Sequence, residues 1–158
     1  MRLIAGLGNP GGQYARTRHN AGFMVLDRLV ERTGNPWSFD SRFRAKVARG
    51  RLESSDCLFC QPQTFMNLSG ESVAAIASYF RVPTDDVLVI VDDADLPLGR
   101  LRIRGQGSSG GHRGLQSVET HLGSRGYARL RVGIGRPEDE DRRIRNYVLG
   151  KFGRGELD

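Results

Sequence analysis

The sequence predicts an α/β fold: a single domain with a mixed, mostly parallel twisted sheet and helices on both faces. Three observations support this class. The 158 residues fit one compact domain. Short apolar runs of strand length alternate with segments of helical periodicity, and no internal repeat or linker interrupts the alternation. We therefore expect residues 1–158 to form one domain.

The first half of the chain predicts a strand, a helix, a hairpin and a second helix. Residues 3–7 form a short apolar strand, residues 43–48 alternate as a half-buried strand does, and residues 56–61 can pair with them. Apolar residues recur at helical spacing within 23–30 and 73–80. Gly34 ends the first helix, because Asn35 and Pro36 follow it. Runs 43–48 and 56–61 are close in sequence and predict an antiparallel hairpin. A side-chain oxygen of Asn67 or Ser69 is expected to cap the second helix.

The second half predicts three further strands and one helix. Val87–Val91 is entirely apolar and predicts the most buried strand. Leu98–Arg104 alternates apolar residues with arginine, as an exposed strand does. Leu115–Leu122 has the spacing of a short helix, and Leu130–Ile134 predicts the last strand. Strands and helices therefore continue to alternate to the end of this region.

The composition favours a soluble cytoplasmic protein without a membrane partner. The longest apolar run, Val87–Val91, is far too short to cross a bilayer. Only three apolar residues separate Arg2 from Gly6, too few for a signal peptide. Cys57 and Cys60 lie inside a predicted strand, and no second ligand pair completes a zinc site. The two cysteines are therefore interpreted as structural.

The charge of the chain favours a polyanionic partner. The formal net charge is +6, the pI is about 10.0, and all but two of the 24 basic residues are arginines. Eight arginines lie between residues 100 and 136, where Glu119 is the only acid. Arginines scattered over a solvent-exposed surface need no partner. Their clustering around a glycine-rich loop instead favours a surface that faces phosphates.

Polar residues follow three of the predicted strands. Asn9 follows the first strand, Asn67 follows the hairpin, and Asp92 directly follows Val87–Val91. Ligands of open α/β sheets bind at the carboxyl ends of the strands. The sequence therefore predicts a ligand site at this edge.

His19 stands just before the first predicted helix and is the candidate general base. A neutral imidazole can accept a proton from water, and Asp92 can accept the N–H of His19 and stabilise the imidazolium. Two alternatives stay open. A lone histidine is often a surface or capping residue, and Asp92, Asp93 and Asp95 could together bind a divalent ion. No nucleotide-binding loop accompanies these acids, which argues against a metal.

Two glycine-rich loops have different interpretations. Gly6–Gly11 matches G-x-G-x-x-G, but the loop continues past Gly11 and no second strand with an acidic end follows, so a dinucleotide site is not expected. Gly105–Gly114 holds five glycines in ten residues. It could bring the backbone close to an acyl or phosphate group, or it could be only a mobile loop.

Six short segments occur in a fixed order from residue 1 to about 152. They are Gly6–Gly11, Tyr14 with Thr17–Gly22, Thr64–Gly70, Asp92 with Asp95–Pro97, Gly110–Gly114 and Arg129–Gly135. Each segment is weak alone. Together, and in this order, they resemble the bacterial-type peptidyl-tRNA hydrolase family.

The resemblance implies hydrolysis of the ester between a peptide and the terminal ribose of tRNA, without a cofactor or metal. It implies that His19 activates the attacking water and that Asp92 orients His19. It also implies that Asn9 and Asn67 hold the substrate or the water through their side-chain amides. The implied partner is peptidyl-tRNA, bound by a monomer.

The resemblance also implies a set of binding residues. Tyr14, Phe65 and Arg113 fall in matching segments and are assigned to substrate binding. Arg104 and Arg131 fall where the family binds the 5′-phosphate of tRNA. This assignment agrees with the arginine cluster seen in the charge distribution.

This sequence departs from the family at two places. Where the family has Gly-Gly-His-Asn-Gly, this sequence has Arg113 in place of the Asn. The chain also stops at Asp158, where family members usually continue into a C-terminal helical region. We expect that region to be missing and Arg113 to turn toward tRNA phosphate.

Two other functions compete with the enzyme. The first is a non-catalytic RNA-binding relative, such as the family's plant organellar members that assist intron splicing. The second is a small-molecule carboxylesterase, but the sequence has no G-x-S-x-G elbow and this function leaves the arginine cluster unexplained. The pairing of His19 with Asp92 favours the enzyme.

Overall fold

The computed structural model describes residues 1–135, and its seven strands form one sheet. Arg136 and the expected loss of a C-terminal helical region lie outside the described residues. The strands are β1 (Arg2–Gly6), β2 (Ser38–Asp40), β3 (Ala45–Leu52), β4 (Ser55–Pro62), β5 (Val87–Asp93), β6 (Leu101–Arg104) and β7 (Ala128–Gly133). The α-helices are α1 (Ala21–Thr33), α2 (Ser69–Tyr79) and α3 (Arg113–Leu122), with single 3₁₀ turns at Arg18–Asn20, Met66–Leu68 and Thr84–Asp86.

The predicted mixed sheet is confirmed. The strand order is β2-β3-β4-β1-β5-β7-β6. The four central strands run parallel to one another, whereas β2, β3 and β6 pair antiparallel at the two edges. β3 and β4 form the predicted hairpin. The carboxyl ends of β4, β1, β5 and β7 therefore meet along one edge.

Helices cover both faces of the sheet, as predicted. Leu26 and Val30 of α1 pack with Ile90 of β5 on one face. Val73 of α2 and Leu115 of α3 pack in the larger core on the other face. This two-sided burial explains why the central strands are nearly continuous apolar runs. No helix within residues 1–135 has both the length and the apolar character of a membrane span.

One sequence prediction about local structure was wrong, and one strand was missed. α2 has Leu68 at its N-cap, and no side chain accepts a capping hydrogen bond there. The hydroxyl of Ser69 instead points to the sulfur of Met66, 4.0 Å away. The short strand β2 was missed, because its three residues carry no apolar alternation and are ordered by pairing with β3.

The start of α1 lies unusually close to the sheet. A side-chain carbon at Gly22 would collide with the carbonyl oxygen of Ile90 and with the backbone of Leu7. Glycine is the residue that permits such an approach. The close contact brings the turn Arg18–Asn20, which precedes α1, to the end of β5.

Candidate active site

The predicted edge of the sheet holds a histidine–aspartate–histidine cluster. Asp92 lies near the end of β5 and is 2% exposed. Nδ1 of His19 lies 2.8 Å from its Oδ1, and Nε2 of His112 lies 2.9 Å from the same atom. The two imidazole rings have centroids 5.2 Å apart. One carboxylate oxygen therefore accepts from both rings.

The start of α3 fixes the tautomer of His112. His112 is the N-cap of α3, and its Nδ1 accepts from the backbone N–H groups of Gly114 and Leu115 at 3.1 and 3.3 Å. Nδ1 must carry a lone pair to do so, which places the ring proton on Nε2, where it is donated to Asp92. α3 can come this close because a side chain at Gly114 would overlap the sulfur of Met66.

Asp92 stays ionised and thereby sets the tautomer of His19. Burial alone would raise the pKa of Asp92, but attraction from His112 and hydrogen bonds from His112 and His19 lower this pKa to about 2. An ionised carboxylate only accepts, so Nδ1 of His19 donates to it. In neutral His19 the lone pair is then on Nε2, the atom that can take a proton.

Asn9 is locked in one orientation by Asn20 and Met66. The backbone N–H of Asn9 donates to Oδ1 of Asn20 at 2.8 Å, and Nδ2 of Asn20 donates back to the carbonyl of Asn9 at 2.9 Å. The side-chain oxygen of Asn9 accepts from the backbone N–H of Met66 at 2.8 Å. Because its oxygen is engaged, the side chain of Asn9 offers its NH₂ group as a donor.

The other residues expected to bind substrate differ in how exposed they are. Asn67 is exposed and directly follows Met66, whose backbone N–H donates to the side-chain oxygen of Asn9. Phe65 is 56% exposed, Tyr14 is half-buried, and Arg113 is exposed at the first position of α3. The structure thus places Asn9, His19 and Asp92 together and sets Arg113 at the surface beside His112.

Arg104 and Arg131 lie on neighbouring strands at the β6 edge and line one cavity of about 290 Å³. Arg104 is exposed. Arg131 is held by the carbonyl oxygens of Ser108 and Ser109, at 3.2 and 3.4 Å, and by Asp93 at 3.7 Å. Asp93, which lines this cavity, directly follows Asp92 at the end of β5.

The histidine cluster also offers three atoms with the spacing of metal ligands. The candidate atoms of His19, Asp92 and His112 lie within 4.8 Å of one another. Ligation by Nε2 of His112 would require its proton to move to Nδ1, where the N–H groups of α3 already donate. The two imidazole rings and the carboxylate are therefore arranged to share protons through hydrogen bonds.

Comparison with known proteins identifies the family. The model of the family described as peptidyl-tRNA hydrolase matches residues 3–158. This chain belongs to the peptidyl-tRNA hydrolase family. The peptidyl-tRNA hydrolase of Synechococcus sp. (strain JA-3-3Ab) is 50% identical over 96% of this chain and 67% of its own length. That of Brevibacillus brevis is 49% identical over 96% of this chain and 79% of its own length.

Solved structures of the family share the fold. The crystal structure of peptidyl-tRNA hydrolase from Acinetobacter baumannii superposes with a TM-score of 0.92 and 37% identity. It covers 99% of this chain and 79% of the other. The family resemblance inferred from six ordered segments is confirmed.

Sequence reasoning missed the roles of two residues in this peptidyl-tRNA hydrolase fold. His112 lies in a segment that was recognised, but no role was given to its side chain. Its place before an apolar helical run, where N-caps occur, was a usable signal. Asn20, 1% exposed, follows His19 directly and holds Asn9. A buried asparagine needs such partners, but no pattern in the sequence names them.

Proposed function

We propose that this protein hydrolyses the ester bond between peptide and tRNA in peptidyl-tRNA, with His19 as the general base. The observation that carries the proposal is the 2.8 Å hydrogen bond from Nδ1 of His19 to the ionised Asp92. It fixes the tautomer that leaves Nε2 free to take a proton, and it stabilises the imidazolium that results.

The chemistry runs in two steps. Nε2 of His19 accepts a proton from water while the water oxygen attacks the ester carbonyl carbon. The ester C–O bond then breaks, and the imidazolium of His19 returns the proton to the departing ribose oxygen. General base catalysis of this kind contributes about 10²–10⁴ in rate.

Substrate positioning is assigned to the groups around His19. The NH₂ group of Asn9 and the side-chain amide of Asn67 can donate to the peptide or hold the attacking water. The exposed ring of Phe65 and the half-buried Tyr14 are assigned to contacts with the substrate. These assignments are supported by the locked orientation of Asn9 and by the hydrogen bond that ties its side chain to the Met66–Leu68 turn.

Binding of the tRNA body is assigned to Arg104 and Arg131. Both line the cavity at the β6 edge, where positive charge favours the 5′-phosphate. The cluster of His19, Asp92 and His112 forms within one chain, as a monomeric enzyme requires. We further propose that the protein acts on tRNA in the cytoplasm and without a metal. A molecular mass measured by light scattering tests the monomer.

The decisive assay compares three substrates. Purified protein is incubated with peptidyl-tRNA, aminoacyl-tRNA and a simple ester, each with and without a chelator. We expect rapid release from peptidyl-tRNA alone, unchanged by the chelator. Loss of activity in chelator would overturn metal independence, and equal cleavage of the simple ester would indicate a carboxylesterase. Tight tRNA binding without cleavage would indicate the non-catalytic relative.

A further inference from the structure

Arg129 on β7 is a buried cation surrounded by neutral partners. It is 1% exposed. One terminal nitrogen donates to the carbonyls of Arg125 and Tyr127 at 2.7 and 3.0 Å, and the other to the carbonyl of Ser108 and the hydroxyl of Tyr127, both at 3.4 Å. The guanidinium carbon lies 4.0 Å from the centroid of the Tyr127 ring. Nε has no hydrogen-bond partner.

No carboxylate of residues 1–135 forms an ion pair with Arg129. Glu119, whose charge acts on the pKa of Arg129, is paired with Arg125. Burial lowers the pKa of Arg129, yet an arginine in a protein keeps its proton. Burying an unpaired charge is costly. The burial of this charge therefore calls for an explanation.

Arg129 and Arg131 hold the same segment of the glycine-rich loop. The carbonyl oxygen of Ser108 accepts from both guanidinium groups, at 3.4 Å from Arg129 and 3.2 Å from Arg131. Gly110, which faces Arg131, has a φ of 60°. Glycine gives the loop many accessible conformations, so the conformation seen here depends on contacts from outside the loop.

The cavity beside this loop has an excess of positive charge. Its charged lining residues are Arg102, Arg104, Arg129, Arg131, Asp93 and Asp95. Four arginines against two acids leave a net charge of +2. A phosphate monoester, which carries close to two negative charges near neutral pH, complements this excess better than an internal phosphodiester with one.

We propose that Arg129 is a positioning residue for recognition of a terminal phosphate monoester. It fixes the carbonyl of Ser108, and with it the side chain of Arg131, while its unneutralised charge makes the cavity more positive. This inference rests on the proposed function, because the phosphate is that of the tRNA 5′ end. Arg129 thereby acts on phosphate selectivity rather than on ester chemistry.

The test measures a preference rather than a rate. kcat/KM is determined for peptidyl-tRNA with a 5′-phosphate and for the same substrate after phosphatase treatment, and the ratio is taken for each variant. Any general loss of folded protein cancels in this ratio. Arg129→Lys keeps the charge, but a lysine cannot donate to all four acceptors. The ratio should therefore fall by about tenfold, toward a value of one, because about one charged hydrogen bond is lost. Arg28→Lys, at an exposed site on α1, should keep the wild-type ratio.

A double mutant separates positioning from independent binding. If Arg129 acts through Arg131, the double variant should have nearly the same ratio as Arg131→Ala alone. Should Arg129→Lys fail to fold, Tyr127→Phe removes the hydroxyl that accepts from Arg129 and donates to the carbonyl of Leu115, and it should lower the ratio by about twofold to fivefold.

The outcomes distinguish this inference from the proposed function. A wild-type protein that cleaves neither substrate refutes the proposed function. A wild-type protein that cleaves both without preference, or an Arg129→Lys variant that keeps the preference, overturns the role of Arg129 alone. Full additivity of Arg129→Lys and Arg131→Ala would also overturn it.

Discussion

His112 donates its Nε2–H to Oδ1 of Asp92 across 2.9 Å while its Nδ1 accepts from the first turn of α3. A single ring thus joins the N-terminus of a helix to the carboxylate that orients His19. Asp92 is held from two sides, so its carboxylate cannot rotate away from His19 without breaking the bond to His112.

Replacing His112 tests this support. His112→Asn keeps a side chain that can cap α3 but loses the donor to Asp92. We expect the cleavage rate to fall by about tenfold, the loss of roughly one charged hydrogen bond, with little change in thermal stability. His112→Ala should lose the same rate and also about 1 kcal/mol of stability through the missing cap. Wild-type cleavage by His112→Asn would show that Asp92 needs no second donor.

Asp92 should make the folded protein sensitive to acid. Its pKa is lowered to about 2 in the folded state from an ordinary value of 3.8. The unfolded state therefore binds more protons as the pH falls from about 4 to about 2, and the stabilisation present above this window, roughly 2 kcal/mol, is lost across it. Urea unfolding at several pH values would measure this slope.

Matched variants isolate the contribution of Asp92. Asp92→Asn should unfold with a shallower pH dependence in this window, and Asp85→Asn, at an exposed site, should behave as wild type. Equal slopes for Asp92→Asn and wild type would refute the low pKa.

Arg104 and Arg131 should account for part of the salt dependence of tRNA binding. Replacing both with Ala should weaken binding and reduce the slope of log K against log salt by up to about two phosphate contacts. Arg28→Ala with Arg32→Ala, two exposed sites on α1, removes the same charge elsewhere and should change the slope less. An unchanged slope in the first double variant would place the phosphate surface elsewhere.

Arg113 should act on tRNA rather than on the ester. Its side chain is exposed at the start of α3, and Arg provides only donors where Asn provides a donor and an acceptor. Arg113→Asn should keep or modestly raise the cleavage rate and weaken tRNA binding slightly. Arg113→Gln, which removes the charge but keeps much of the length, should weaken binding equally. A large fall in cleavage of a short peptidyl-nucleoside ester would instead place Arg113 at the ester.

The sequence predicted best those features that have a local signature. The apolar run Val87–Val91 predicted a strand buried on both faces. The polar residues that follow the strands predicted which edge of the sheet holds the site. The strand β2 has no such signature, because only pairing with β3 orders it. The contact of His112 with Asp92 depends on how a glycine-rich loop returns to the sheet. Such a contact is tertiary and leaves no periodicity in the sequence.

The orientation of Asn9 shows the same limit. Its position after β1 was predicted, but which group of its amide remains available follows from two partners distant in sequence, Asn20 and Met66. Residue types could suggest a hydrogen-bonding role for Asn9. They could not say which end of the amide remains free.

The central claim is that His19 moves the proton. The most direct measurement is the single-turnover rate of peptidyl-tRNA cleavage by His19→Ala, with equilibrium tRNA binding measured on the same protein. We expect the rate to fall by about 10²–10⁴ with little loss of affinity, a milder fall of the same kind for Asp92→Asn, and wild-type behaviour for His121→Ala, an exposed histidine on α3. Cleavage by His19→Ala at close to the wild-type rate would contradict the account.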